Sequence, residues 1–334
     1  MNGTSRVTGV ELLDAGLSEA VDNGLSQVED LLHREVHSNY QFVTETSLHL
    51  IEAGGKRFRP LFTLLSGQIG PRGGASEVVT AAVVVELVHL ATLYHDDVMD
   101  SATMRRGAES ANSRWDNSVA ILTGDYLFAH ASRLVADLGP DAVRIIADTF
   151  AALVTGQMRE TRGPRPNEDP VQHYLAVVAE KTGSLIATAG RYGGMFAGCA
   201  PEEVAALRRF GEIIGSAFQV SDDVIDIASP EESSGKTPGT DLREGVPTLP
   251  MLYAVQEGGR SALRLRELLA APLTDDALVD EALGLLRNGD GIARARQTLG
   301  EQASLARDEL ALLPDCPARD ALASLTVYVV DRTG

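Results

Sequence analysis

Cysteine is nearly absent from this sequence. Only Cys199 and Cys316 occur in 334 residues, too few for a disulfide framework or a thiolate metal site, so a reducing, cytoplasmic setting is expected. Aromatic residues are scarce at 5%, which argues against sheets built on aromatic and β-branched pairs and suits closely packed helices rich in Ala, Val and Leu. Positive charge is also short: 29 Lys and Arg face 47 Asp and Glu, a net charge of −18. Such a chain repels the nucleic-acid backbone and anionic lipid headgroups, so no nucleic acid is expected as a partner. Met1 to Gly16 lacks the basic-then-apolar order of a secretory leader, and the most apolar run, Ala81 to Leu93, is interrupted by Glu86 and His89. No transmembrane segment is therefore expected.

What the chain does contain points to helices. A hydrophobic fraction of 44% beside 23% charged residues is that of a globular protein with a large core. Gly and Pro are missing from Ser76 to Asp100, which predicts one long helix with Ser76 as its N-cap. Asp169-Pro170 opens another helix with Pro at its first position, running towards Gly190. Pro201-Glu202-Glu203 opens a third, acidic at the positive end of its dipole and continuing to about Ile227. No period-2 strand pattern stands out. Breakers fall at 70–74, at Gly139-Pro140, at 163–166 and from Pro230 through Pro250. The last stretch is too long for a simple turn, and loops of that length inside a compact domain are usually functional.

One motif appears twice: Asp96-Asp97-Val98-Met99-Asp100 and Asp222-Asp223-Val224-Ile225-Asp226. On a helix the first and last Asp of each set are i and i+4, so three carboxylates crowd one end-face. Like charges this close oppose folding unless something positive neutralises them. Hard oxygen ligands of this kind suit Mg²⁺, which keeps several waters and is completed by substrate phosphates. A single copy is explained equally well by a solvated acidic helix face; two copies, each ending an apolar helix, are not. Basic clusters flank the first: Gly54-Gly55-Lys56-Arg57-Phe58-Arg59-Pro60 before it and Arg105-Arg106-Gly107 after it. In so acidic a chain these are the local positive patches that a diphosphate site needs. The Gly spacing and the missing Ser or Thr after Lys56 exclude a P-loop.

In order, the Gly-Gly-Lys-Arg-Phe-Arg-Pro segment, His89 seven residues before Asp96, the two aspartate sets, Arg105-Arg106-Gly107, Lys181-Thr182-Gly183, Phe218-Gln219 and Gly235-Lys236 with Gly239 and Asp241 resemble the trans-isoprenyl diphosphate synthases, or polyprenyl synthetases. The resemblance implies an all-α isoprenoid-synthase-type bundle of roughly a dozen helices around a central cavity, one domain over residues 1–334, and a homodimer. It implies that Asp96, Asp97, Asp100, Asp222, Asp223 and Asp226 hold about three Mg²⁺ ions on an allylic diphosphate. Of these, Asp96, Asp97, Asp100, Asp222 and Asp223, with Arg105 and Lys181, take the catalytic roles. Arg105, Lys181, Thr182, Gln219 and Lys236 match the allylic diphosphate pocket, with Thr182 and Gln219 near the reacting carbons. Lys56, Arg59, His89 and Arg106 match the metal-free pocket for isopentenyl diphosphate. The stretch around Lys236 is expected to close as a lid. One departure is that Gly245-Val246-Pro247-Thr248-Leu249-Pro250 carries no Lys, which leaves that segment without a cation for a phosphate contact.

Ala91 and Thr92, fifth and fourth before Asp96, lie about 6–8 Å along the helix from it. Short-chain synthases resemble one another in placing Phe or Tyr there as a floor. Two small residues predict a deeper tunnel and a long product, about C30 or more; the competing reading is that they merely let helices pack closely. A terpene cyclase would share the first aspartate motif but need no isopentenyl pocket. A di-iron bundle would need Glu-x-x-His pairs, which do not appear. A non-catalytic partner subunit would be expected to have lost its aspartates, and all six are present.

Overall fold

The computed structural model describes residues 5–7, 10–228 and 238–332. Lys236, and with it most of the expected lid, lies outside the described residues.

Two short hairpins precede and interrupt the helices. Strands β1 (Ser5–Val7) and β2 (Val10–Leu12) pair antiparallel at the N-terminus. Then come α1 (Ala15–Glu35), α2 (Gln41–Glu52), α3 (Phe58–Gly67) and α4 (Ser76–Met99). A second ribbon follows, β3 (Met104–Arg105) with β4 (Ala108–Glu109). The helices resume with α5 (Ala111–Arg114), α6 (Asn117–Asp137), α7 (Pro140–Arg162) and α8 (Pro170–Val178). A single π turn, Ala179–Gly183, leads into α9 (Ser184–Ala197) and α10 (Pro201–Ala228). The remainder is α11 (Thr240–Glu244), α12 (Leu249–Gln256), α13 (Arg260–Leu268), α14 (Asp276–Arg287), α15 (Gly291–Leu310) and α16 (Pro317–Asp331). The all-α expectation holds; the strands are too slight to alter it. Each is two or three residues long, too short to show an alternating pattern.

The chain forms two compact units, each assembled from several segments. The first comprises the described chain up to Ala151, with Leu185–Gly211 and Leu310–Leu322. Its centre is α4, buried on every face from Val78 to Asp97 and packed against α1, α3 and α6. Uninterrupted apolar residues with no helix breaker make it helical, and an all-round apolar surface makes it the core element. By length and apolarity α4 passes for a membrane span, but most of that surface is covered within the unit. Its N-cap is Ala75, not Ser76, whose hydroxyl instead reaches Glu77. Close helix approach is set by glycines: a Cβ on Gly193 of α9 would stand 2.3 Å from the Thr63 carbonyl of α3. On Gly124 of α6 it would stand 3.0 Å from the Ala91 carbonyl of α4.

The second unit comprises Ala152–Ser184, Glu212–Glu309 and Ala323 to Arg332. Asp169 caps α8 as the sequence predicts, accepting from the Val171 amide at 2.9 Å with Pro170 behind it. The expected run towards Gly190 is broken by the π turn, which is held between α7 and α10. A Cβ on Gly156 would meet the Lys181 amide nitrogen at 2.8 Å, and one on Gly183 the Glu212 carbonyl at 3.0 Å.

Candidate active site

In the first unit α4 ends at the first aspartate set. Asp97 is fully buried, its Oδ1 accepts from Arg105 Nε at 2.6 Å, and its Oδ2 has no hydrogen-bond partner. Burial pushes this carboxyl above its ordinary range, against the pull of Arg105. Arg105 and Arg106 sit on the β3–β4 ribbon, whose tight turn has Arg106 at φ 54° and Gly107 at φ 77°. Both central residues in the left-handed region are what a twisted two-residue hairpin requires. The ribbon points Arg106 back to the Leu50 carbonyl at 2.8 Å and to the Gly54 carbonyl.

Around that point the isopentenyl-pocket candidates gather. Glu86, one turn before His89 on α4, is only 2% exposed and faces Arg57 at 3.3 Å and Arg106 at 3.8 Å. Arg59 has a buried Nε with no partner, and its guanidinium is pushed down to about 10, first by burial and then by Arg106. His89 lies well below its ordinary value, by burial and then by Arg59, Arg106, Arg105 and Arg57. A neutral imidazole beside crowded guanidiniums and an unsatisfied donor is a preformed seat for an anion. Lys56, on the same turn, is exposed. Glu86 was visible in the sequence only as a break in an apolar run.

In the second unit the second set is bound differently. Asp223 is 3% exposed and accepts from the Tyr174 hydroxyl and from Gln219 Nε2 at 3.0 Å. Burial pushes it up to about 7 despite both donors. Thr182 Oγ1 donates to Gln219 Oε1 at 3.5 Å, and Lys181 pairs with Glu160. Lys181, Thr182, Gln219 and Asp223 line one cleft, with Tyr174, His173 and Asp241. Asp222 pairs with Arg332 near the C-terminus. The Asp226 carboxylate receives the Thr240 amide at 3.2 Å and the Asp241 amide at 3.3 Å, capping α11. Tyr174 and Arg332 escaped the sequence reading, because no local pattern marks partners 49 and 110 residues away.

Among the described residues no three Asp, Glu, His or Cys side chains converge closely enough to hold an ion unaided. That suits Mg²⁺, which is held by one or two carboxylates together with waters and substrate phosphates. The buried Asp97 Oδ2, without a hydrogen-bond partner, suits a cation ligand.

The polyprenyl synthetase family profile matches residues 40–286. The chain belongs to the polyprenyl synthetase family. It is 60% identical over 328 residues to nonaprenyl diphosphate synthase of Mycobacterium tuberculosis, covering 98% of each chain. Its structure is similar to that of a geranylgeranyl pyrophosphate synthase from Corynebacterium glutamicum complexed with calcium and isoprenyl diphosphate. The TM-score is 0.89 at 50% identity, covering 97% of this chain and all of that one. A decaprenyl diphosphate synthase from Rhodobacter capsulatus gives 0.88 at 33% identity, covering 96% and 99%. The family expectation drawn from the ordered motifs holds, and with it the reading of the chain as an isoprenoid-diphosphate prenyltransferase.

Proposed function

We propose that this chain condenses an allylic diphosphate with isopentenyl diphosphate, repeatedly, to a linear all-trans product of about C30 or longer, using Mg²⁺. The observation that carries the metal-dependent chemistry is that the second aspartate of each motif, Asp97 and Asp223, is buried, where a carboxylate needs its oxygens satisfied, and that Arg105 leaves Asp97 Oδ2 without a partner. Asp96, Asp97, Asp100, Asp222, Asp223 and Asp226 would hold the ions, whose chemistry is to neutralise the departing diphosphate. Arg105, Lys181 and Lys236 grip the allylic diphosphate. The allylic carbon–oxygen bond breaks, its electron pair leaving with the diphosphate, and the isopentenyl double bond attacks the allylic carbon. Thr182 and Gln219 turn their oxygens to the developing positive charge. Lys56, Arg59, His89 and Arg106 hold the isopentenyl diphosphate. The proton then lost from the new chain passes to the released diphosphate.

The chain is proposed to be a single polyprenyl synthetase domain spanning residues 1–334, its six aspartates and basic clusters acting on the same pair of substrates. A homodimer is supported by exposed apolar side chains, Leu122 at 65% and Ile121 at 42% on α6; sedimentation as a monomer at micromolar concentration would remove it. A cytoplasmic setting suits two free thiols, of which Cys199 is pushed up to about 11 by burial and so is poorly reactive. Product length rests on small Ala91 and Thr92 and on the likeness to the nonaprenyl synthase. The likeness to the geranylgeranyl synthase favours a shorter product. The test is diphosphate release and product mass from this chain alone, with several allylic primers, isopentenyl diphosphate and Mg²⁺. No release, or release undiminished by a chelator, overturns the proposal; a product ending at C20 decides for the shorter reading.

A further inference from the structure

The middle cation of the Gly-Gly-Lys-Arg-Phe-Arg-Pro segment behaves unlike its neighbours. Arg57 stands at the N-cap of α3 with φ 46°, in the left-handed region that a side chain rarely adopts. Its side chain is 12% exposed and is held from three directions. It donates through Nε and Nη2 to both oxygens of Glu29 on α1, through Nη1 to Glu86 on α4 at 3.3 Å, and through Nη2 to the Ile51 carbonyl of α2 at 3.0 Å. A guanidinium so fully engaged has no fork left for a substrate phosphate. Glu86 also faces Arg106, whose guanidinium lies where a Cβ on Gly55 would stand, at 2.8 to 3.1 Å. The turn carrying Lys56 and Arg59 is thus fixed to α1, α2 and α4 by one inward arginine and one buried carboxylate.

We propose that Arg57, clasped by Glu86 and Glu29, is a positioning residue for the isopentenyl diphosphate pocket, acting through the turn that presents Lys56 and Arg59. This rests on the proposed assignment of Lys56, Arg59, His89 and Arg106 to that pocket. Partners that orient metal ligands through fixed hydrogen bonds change affinity by about 10–100-fold when lost, and an effect of that order is expected where the groups oriented bind a phosphate instead. The left-handed backbone at Arg57 is kept because the clasp over-determines it, and releasing the clasp lets the turn relax away from the geometry that aims Arg59.

The test compares Arg57→Ala, Glu86→Gln and Arg59→Ala in the full chain, with KM measured separately for isopentenyl diphosphate and for the allylic primer, beside thermal melts. Arg57→Ala and Glu86→Gln are expected to raise the isopentenyl KM about tenfold or more while the allylic KM moves less than about twofold. A residue that only stabilised the fold would lower the melting temperature and the active fraction, leaving both KM values in place. An unchanged isopentenyl KM in both Arg57→Ala and Glu86→Gln, or an equal rise in both KM values, overturns the inference. Should Arg57→Ala not fold, the isosteric Glu86→Gln alone decides. If Arg59→Ala leaves the isopentenyl KM unchanged, the pocket assignment fails and the inference with it. A rise in Arg59→Ala without one in the other two refutes the positioning role alone.

Discussion

At the scale of residues, the aspartates divide into wet and dry. Asp97 and Asp223 are buried, whereas Asp100 and Asp222 are exposed, so replacing a buried carboxylate by its neutral isostere removes charge without changing volume. Asp97→Asn and Asp223→Asn should lower kcat on the order of 10²–10³-fold with melting temperature held or raised in the absence of Mg²⁺; retention of full turnover would remove these two from the chemistry. His89 makes a different prediction. Its folded-state proton affinity is depressed, so between that value and the ordinary 6.5 the unfolded chain binds more protons, and stability rises with pH across the window. Urea unfolding at pH 5.5 and 7.5 should show a loss on the acid side of up to about 1.4 kcal/mol that His89→Gln diminishes. Equal losses in both proteins would mean that His89 is charged in the fold. The aspartates were legible because helical spacing groups them locally; Lys181-Thr182 was marked only by the resemblance to the family. Arg57, Glu86 and Tyr174 were not, since a cation facing inward and one facing substrate read alike in a linear sequence.

At the scale of elements, the long helices were legible and their interruptions were not. The uninterrupted stretch from Ser76 and the Asp169-Pro170 start both give helices where expected, because a missing breaker and a capping side chain are local causes. The π turn at Ala179–Gly183 has no such local cause: glycines on one side and within it allow neighbouring helices to press close, and an extra residue is accommodated where Lys181 and Thr182 must be presented. Gly156→Ala would place a methyl 2.8 Å from the Lys181 backbone nitrogen, which cannot swing aside as a side chain can. Gly193→Ala makes a closer clash, 2.3 Å from the Thr63 carbonyl, between α9 and α3 of the first unit. Both should lose about 1–3 kcal/mol, read by urea midpoint, but only Gly156→Ala should raise the KM for the allylic diphosphate. If the two behave alike, the π turn is a packing adjustment with no bearing on substrate.

At the scale of the whole molecule, a chain of net charge −18 is proposed to bind two anionic substrates through cations gathered beside its aspartate sets, and product length on that proposal depends on what apolar space the growing chain can enter. Ala91 is 1% exposed, and a Cβ on Gly124 of α6 would stand 3.0 Å from its carbonyl. Thr92 is partly exposed and donates its hydroxyl to the His89 carbonyl at 2.8 Å. The same small side chain at 91 therefore serves both readings drawn from the sequence, close helix packing and an open tunnel, and a bulky replacement separates them. With Ala91→Phe, a tunnel floor gives a shorter main product by mass at a melting temperature close to that of the parent chain. A packing role gives overpacking of about 1–3 kcal/mol with the product distribution unmoved. The expected outcome is shortening, since diphosphate chemistry at the aspartates fixes where the chain starts and a ring one turn and a half along α4 fixes where it must stop.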